Sequence, residues 1–208
     1  ASNGRGVYSF CMCPGGYVVN ASSEEKRLAI NGMSNHSRDT KNANSAIVVT
    51  VTNSDFNGEL FGGLEFQEEL EKKAYELGKG KIPIQKLGDF YENKKTVQLG
   101  ETEPIFKGSF EFANLNEILP DFVEIALKEA FVDFDKKING FGDKDAILAA
   151  IETRTSSPIR IVRDDNGKST VAGFYPAGEG AGYAGGIMSA AMDGIKVAEN
   201  IAKEYIFW

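Results

Sequence analysis

The run from Tyr175 to Gly186, "YPAGEGAGYAGG", constrains this chain more than any other stretch, because Gly180, Gly182 and Gly185 spell GxGxxG close to the C-terminal end. A strand that runs into such glycines and then into a helix gathers free backbone N–H groups and the positive end of a helix dipole at one spot. That arrangement suits a pyrophosphate or another electron-rich group. The same pattern also arises wherever a tight turn needs positive φ, so the motif alone leaves both readings open. An ordinary Rossmann unit continues into a second strand, with an acid about 20 residues on to hold the ribose. Glu204 falls near that count, but it lies in a terminal helical pattern with only four residues after it. No GK[ST] follows the glycines, so a P-loop is excluded. The expectation is that this strand and helix are the last elements of a nucleotide-binding domain whose first βαβ unit lies outside this chain. Glu179 then stands at a strand end, where a carboxylate accepts a sugar hydroxyl, and the helix N-terminus points toward a ring that carries negative charge.

The rest of the chain is apolar enough to fold around one core or slightly more, with 208 residues, 42% of them hydrophobic and 11% aromatic. Net charge is −7, and Lys and Arg are scattered among acids, which argues against a nucleic-acid partner. No run approaches the roughly 20 apolar residues of a membrane span, and no signal peptide is visible, so no membrane partner and a cytoplasmic location are expected. The first residue is Ala, which leads us to expect a processed N-terminus or a piece of a longer chain.

Short β-branched or alternating runs, "VYSFCMC", "GYVVNA", "RLAING" and "SAIVVTVT", predict strands between Val7 and Thr52. A helix is predicted over Leu64 to Leu77, with Phe66, Leu70, Ala74 and Leu77 on one face and Glu68–Lys72 and Glu69–Lys73 as outer pairs. Residues 79 to 112 read as a long connection with one or two short strands. A second helix begins at Pro120, carries Val123, Leu127, Ala130, Phe134 and Ile138 on one face, and ends near Gly140. Strands return in "ILAAIETRT", "PIRIVRD" and "STVAGFYPAG", the last two joined by an Asn166–Gly167 turn. The closing helix runs from about Tyr183, with Ile187, Ala191, Gly194, Ala198, Ile201 and Tyr205 on its apolar face and Asp193, Lys196, Glu199 and Lys203 opposite.

Several long runs carry a family resemblance: "GRGVYSFCMCPGGYVVNASSEE", "NGMSNHSRDTKNANSA", "GLEFQEELEKKAYELG", "ETRTSSPIRI" and "YPAGEGAGYAGGIMSAAMDGIKVAE". In these the chain resembles the C-terminal portion of FAD-dependent dehydrogenases, NAD(P)/FAD-dependent oxidoreductases of the glutathione-reductase-like class. The resemblance implies an α+β chain in two parts. Residues 1–150 would be an inserted cap or substrate domain of mixed sheet and helix, incomplete at its N-terminus. Residues 151–208 would supply the closing strand and C-terminal helix of a Rossmann-like FAD-binding domain whose N-terminal half is absent. It further implies that Gly178 and Glu179 meet the ribityl and phosphate part of FAD, and that Gly182, Tyr183, Gly185, Gly186 and Ile187 lie against the isoalloxazine edge, with Gly180 in the same turn. FAD is the implied cofactor, with NAD(P)H as reductant. The implied partners are a small-molecule substrate and the missing N-terminal FAD domain of the same chain, and the isolated piece is expected to be inactive and to self-associate. A rival reading is a self-contained ligand-binding or oligomerisation domain without catalytic activity.

Other candidates are weaker. Cys11 and Cys13 in "CMCPGG" would place both thiols on one strand face, as a redox pair, a thiol near the flavin, or two core thiols. Cys13 is the candidate for catalysis, together with Arg154 in "ETRTSSP", which would bind an anionic substrate or reduced flavin, or else form a surface or interdomain salt bridge with Glu152 or a neighbour. Thr155 and Ser156 read as flavin contacts or turn caps. One histidine, His36, and two cysteines give no zinc constellation, so no metal is expected.

Overall fold

A computed structural model of the chain describes residues 1–56 and 58–205; the side chain of Tyr205, placed above on the apolar face of the last helix, lies outside the described residues. The chain divides into two compact units, Ala1–Thr52 with Glu68–Thr153, and Asn53–Gln67 with Arg154–Trp208. Among the described residues the architecture is α+β, with three small sheets and four helices.

The first unit is organised by three sheets. Strand β1 (Val7–Cys13) pairs antiparallel with β4 (Asn44–Val49), with Val7 opposite Val49 and an irregularity between Phe10 and Cys13. Strand β2 (Gly16–Asn20) is the centre of a second sheet, antiparallel to β3 (Ile30–Ser34) and parallel to β6 (Phe106–Lys107). Gly16 starts β2 because nothing larger fits: a Cβ there would lie 1.9 Å from the Met33 carbonyl oxygen across the ladder. The third sheet centres on β5 (Ile82–Lys86), parallel to β7 (Phe110–Phe112) and antiparallel to β8 (Ile147–Ala149).

Residues 79–112 are therefore much more ordered than their pattern predicts. They hold β5, β6, β7 and a short helix, α2 (Leu87–Tyr91), and they place Ile82, Ile84, Leu87 and Phe90 in the core. Strand β5 is buried along almost its whole length, so it lacks the polar alternation that marks a half-exposed strand. Pro83 hides it further, since it has no N–H to give; its carbonyl nevertheless accepts from Ala150 N at 3.1 Å. Gln85 is fully buried and spends its amide on three partners, donating to Lys94 O at 2.7 Å and Asn114 Oδ1 at 3.2 Å and accepting from Leu115 N at 2.8 Å. A buried amide is tolerated only when its hydrogen bonds are made in this way.

The predicted helices form with shifted faces. Helix α1 (Gly62–Gly78) buries Leu70 and Ala74 as expected and also Glu71, while Glu68 pairs with Arg27 at 2.8 Å in place of Lys72. The expected Glu69–Lys73 pair is present at 2.6 Å. Helix α3 (Asp121–Lys137) follows Pro120 and buries Ala126, Ala130 and Phe131; of the predicted face only Ala130 is fully covered, and Ile138 lies beyond the helix and is exposed.

The second unit holds the start of α1, a short 3-10 turn at Asn53–Asp55 and one long helix, α4 (Ile187–Tyr205). The strands predicted in "PIRIVRD" and "STVAGFYPAG", including the closing strand of a Rossmann-like domain, do not form among the described residues. A strand needs a neighbour for its backbone groups, and here those groups are satisfied in turns. Ser169 N donates to Phe174 O at 3.0 Å, Phe174 N to Val171 O at 3.1 Å, and Gly173 takes φ +75° between them. The Asn166–Gly167 turn does form: Gly167 N donates to Asp164 O at 3.0 Å and Asp164 N to Lys168 O at 2.8 Å. Among the described residues no helix is long and apolar enough to cross a membrane.

Candidate cofactor site

The glycines of the C-terminal turn fall into two groups by what holds them. Gly178 and Gly182 take φ of +70° and +81°, a left-handed conformation that side chains rarely adopt. They close a compact turn in which Gly182 N donates to Glu179 O at 2.8 Å and Tyr183 N to Gly178 O at 3.0 Å. A Cβ on Gly182 would also lie 2.5 Å from Ile159 O. Gly180 and Gly185 are different: neither is left-handed, and a Cβ on either would meet no atom within 4 Å. Among the described residues nothing crowds those two positions.

Helix α4 starts immediately after the turn. Gly186 N donates to Ser189 Oγ at 3.2 Å, Ser189 Oγ donates back to Gly186 O at 2.9 Å, and Ala190 N closes the first helical bond on Gly186 O at 2.9 Å. The N–H groups of Ile187, Met188 and Ser189 belong to the helix turn that has no intrahelical acceptor. The Glu179 carboxylate, half-buried in the preceding turn, makes no hydrogen bond or ion pair among the described residues. The turn thus presents donors, one carboxylate and two unfilled glycine positions, Gly180 and Gly185.

What ties the turn to the last helix is an ion pair between Arg163 and Asp193. Asp193 was expected on the outward polar face of the last helix; instead its side chain and that of Arg163 are only 13% and 11% exposed. The guanidinium and carboxylate meet two-fold, Nη2 to Oδ1 at 2.5 Å and Nη1 to Oδ2 at 2.8 Å. Arg163 Nη1 also donates to Pro176 O at 2.8 Å, and Gly178 N donates to Asp193 Oδ2 at 2.8 Å. One side-chain pair therefore ties both ends of the Pro176–Gly178 segment to α4. The hydrogen bond from Arg163, joined by that from Gly178, pulls the Asp193 carboxyl down to about 2, and the same bond holds Arg163 above its usual value. The two partners stand thirty positions apart, and no local pattern joins them.

Tyr183 packs under this clasp. The Arg163 guanidinium lies 3.6 Å and that of Arg160 4.2 Å from its ring centroid, and its hydroxyl donates to Ile161 O at 3.1 Å. Beside them opens a cavity of about 480 Å³, lined by Arg160, Asp164, Asp165, Lys196 and Asn200 among others. Because Asp193 and Val197 face inward, much of the predicted apolar face of α4 is uncovered: Ile187, Ala191 and Ala198 are exposed, while Gly194 and Ile201 are half-buried. Ile187 is 85% exposed, Met188 73%, Met192 67% and Ile195 60%.

The weaker candidates lie apart in the sequence and in their surroundings. Arg154 is exposed at the start of the second unit's C-terminal segment. That segment approaches the turn at Ser157, whose hydroxyl donates to Ile159 O at 2.9 Å and Gly180 O at 3.3 Å. Among the described residues Thr155 Oγ1 is buried without a hydrogen-bond partner, and Ser156 O accepts from Gln67 Nε2 at 3.4 Å. Cys13 belongs to the first unit, at the end of β1. Glu152, also in the first unit, is half-buried, and burial pushes its carboxyl up from the usual range.

Similarity to known proteins bears on the family. A model of the family described as "FAD-dependent protein, C-terminal domain-like" matches residues 1–155, a stretch that ends before the glycine turn. An uncharacterised protein of Clostridium beijerinckii is 56% identical over 205 residues, covering 97% of this chain but 38% of that relative's own length. The chain therefore spans well under half of the relative it matches, and it belongs to the FAD-dependent protein, C-terminal domain-like family.

Proposed function

We propose that this chain is the C-terminal part of a flavin-dependent oxidoreductase, a dehydrogenase that draws on NAD(P)H, and that the turn from Gly178 to Ile187 forms one wall of its FAD site. The observation that carries the reading is the pair of glycines, Gly180 and Gly185, where among the described residues no atom lies within 4 Å of an added Cβ. Glycine at such positions suits a ligand that must approach the backbone closely.

The residues present fit that group. Glu179 offers a free carboxylate to a sugar hydroxyl. The first-turn N–H groups of α4, with the helix dipole behind them, favour negative charge on a ring edge placed before them. FAD supplies hydride and electron transfer; the chain's share is to orient the ring, stabilise its charge and keep the turn rigid through the Arg163–Asp193 pair. Residues 1–150 serve in this reading as the cap that meets an unidentified small-molecule substrate, and the N-terminal part of the FAD domain completes the site.

The test uses the full-length protein. Gly180→Ala and Gly185→Ala should leave the melting temperature within about 2 °C of the parent, since each adds a methyl to open space. Each should nevertheless weaken FAD binding at least about tenfold, the ~1.4 kcal/mol effect of one misplaced contact. Unchanged flavin affinity in both variants would refute the proposed wall. A second reading, a self-contained domain that binds a small charged ligand, rests on the cavity beside Tyr183; it would gain if Arg160→Ala changed ligand-induced stabilisation while the glycine variants did nothing.

A further inference from the structure

We propose that Cys11 and Cys13 are a dithiol pair that reduces low-molecular-weight disulfides by thiol–disulfide exchange, closing an i,i+2 disulfide on β1. The proposal stands apart from the flavin site and does not depend on it.

Two residues apart on a regular strand, thiols share a face but sit near the separation limit for a bridge. Strand β1 is not regular there. Phe10 pairs with Ala46 and Cys13 with Asn44, so Cys11 and Met12 together oppose the single residue Ser45. This is a β-bulge, which bends a strand and re-aims a side chain. Cys11 itself takes φ +48°, a left-handed conformation unusual for a residue with a side chain. The effect is local and specific: the Cys13 thiol folds back and donates to the carbonyl oxygen of Cys11 at 3.5 Å.

The two thiols also differ in access. Cys11 is exposed, whereas Cys13 is half-covered. The residues that follow are clamped: a Cβ on Gly15 would lie 2.6 Å from Arg38 O, the Ser34 hydroxyl donates to Gly15 O at 2.7 Å, and Thr40 Oγ1 donates to Gly16 O at 3.2 Å. Cys13 is thus held on a fixed backbone while Cys11 faces solvent, the division expected of an attacking thiol and a resolving thiol.

The exchange balances. The Cys11 thiolate attacks one sulfur of the small disulfide, forming a mixed disulfide and releasing one small thiolate, which takes up a proton. The Cys13 thiolate then attacks the Cys11 sulfur and releases the second small thiol. Two protein S–H bonds are lost, one S–S bond forms, and the small disulfide is reduced to two thiols.

The test is intact-mass and peptide analysis of the full-length protein, equilibrated with glutathione disulfide and quenched in acid. The parent should lose two hydrogens, carry no retained glutathione on these residues, and yield a Cys11–Cys13 linked peptide. Cys13→Ser should instead hold one glutathione on Cys11, and Cys11→Ser should react at least about tenfold more slowly, because the remaining thiol is half-covered. A parent protein that keeps both thiols, or one that retains a stable glutathione adduct on either residue, overturns the proposal. The parent measurement decides alone should a variant fail to fold.

Discussion

At the scale of single residues, the Arg163–Asp193 pair ties the glycine turn to helix α4 through Pro176 O and Gly178 N. Its carboxyl titrates at about 2 when folded, against 3.8 for a free aspartate. A depressed carboxyl stabilises the fold above its unfolded pKa and loses that contribution as pH falls through the folded value. The predicted window therefore runs from about pH 4 down to about pH 2. Asp193→Asn should lower unfolding free energy at pH 6 by on the order of 1–2 kcal/mol after screening, and the difference from the parent should shrink toward pH 2. Denaturant titrations at the two pH values check this; a pH-independent difference would mean that shape and not charge is what matters at the site. The spacing of the glycines singles them out, with Glu179, as candidates, but helical periodicity assigns Asp193 to the solvent because it ranks residues by polarity. A buried carboxylate with an arginine partner far away in sequence defeats that ranking.

At the scale of elements, legibility followed the source of order. Strands β1 to β4 and helices α1 and α3 announce themselves through alternation or 3.6-residue periodicity, and all six form close to where the pattern places them. Strand β5 is covered on nearly every residue and carries Pro83 and Gln85, so its order comes from neighbours that lie far along the chain. The β-branched runs after Pro158 fail in the opposite way: their residues suit a strand, yet the second unit has no strand among its described residues for them to pair with. Helix α4 forms where its period predicts but leaves much of its apolar surface exposed. A cluster such as Ile187, Met188, Met192 and Ile195 is a sticky surface until something covers it. The 208-residue chain should therefore self-associate with rising concentration in sedimentation velocity, and Met192→Lys combined with Ile195→Lys should abolish that association while helix content stays unchanged. Equal association in parent and variant would move the contact elsewhere.

At the scale of the whole molecule, a chain that spans 38% of its relative's length holds part of a larger enzyme's machinery in the reading proposed here. Titrating FAD into the 208-residue chain should give no saturable binding at micromolar cofactor, roughly −8 kcal/mol at 1 μM, whereas the full-length protein should bind. Tight binding by the short chain would show that it carries a complete nucleotide site. The order of the sheets has a separate consequence for how the chain reaches its fold. Strand β2 has one neighbour, β3, within easy reach, but its other edge waits for Phe106 and Lys107, which leave the ribosome much later. Parallel pairings across such a gap are slow, because a long loop must close before any bond rewards it. During synthesis the Val18–Val19 edge is therefore an unpaired template, and the chain's vulnerability to mispairing is greatest before residue 106 emerges.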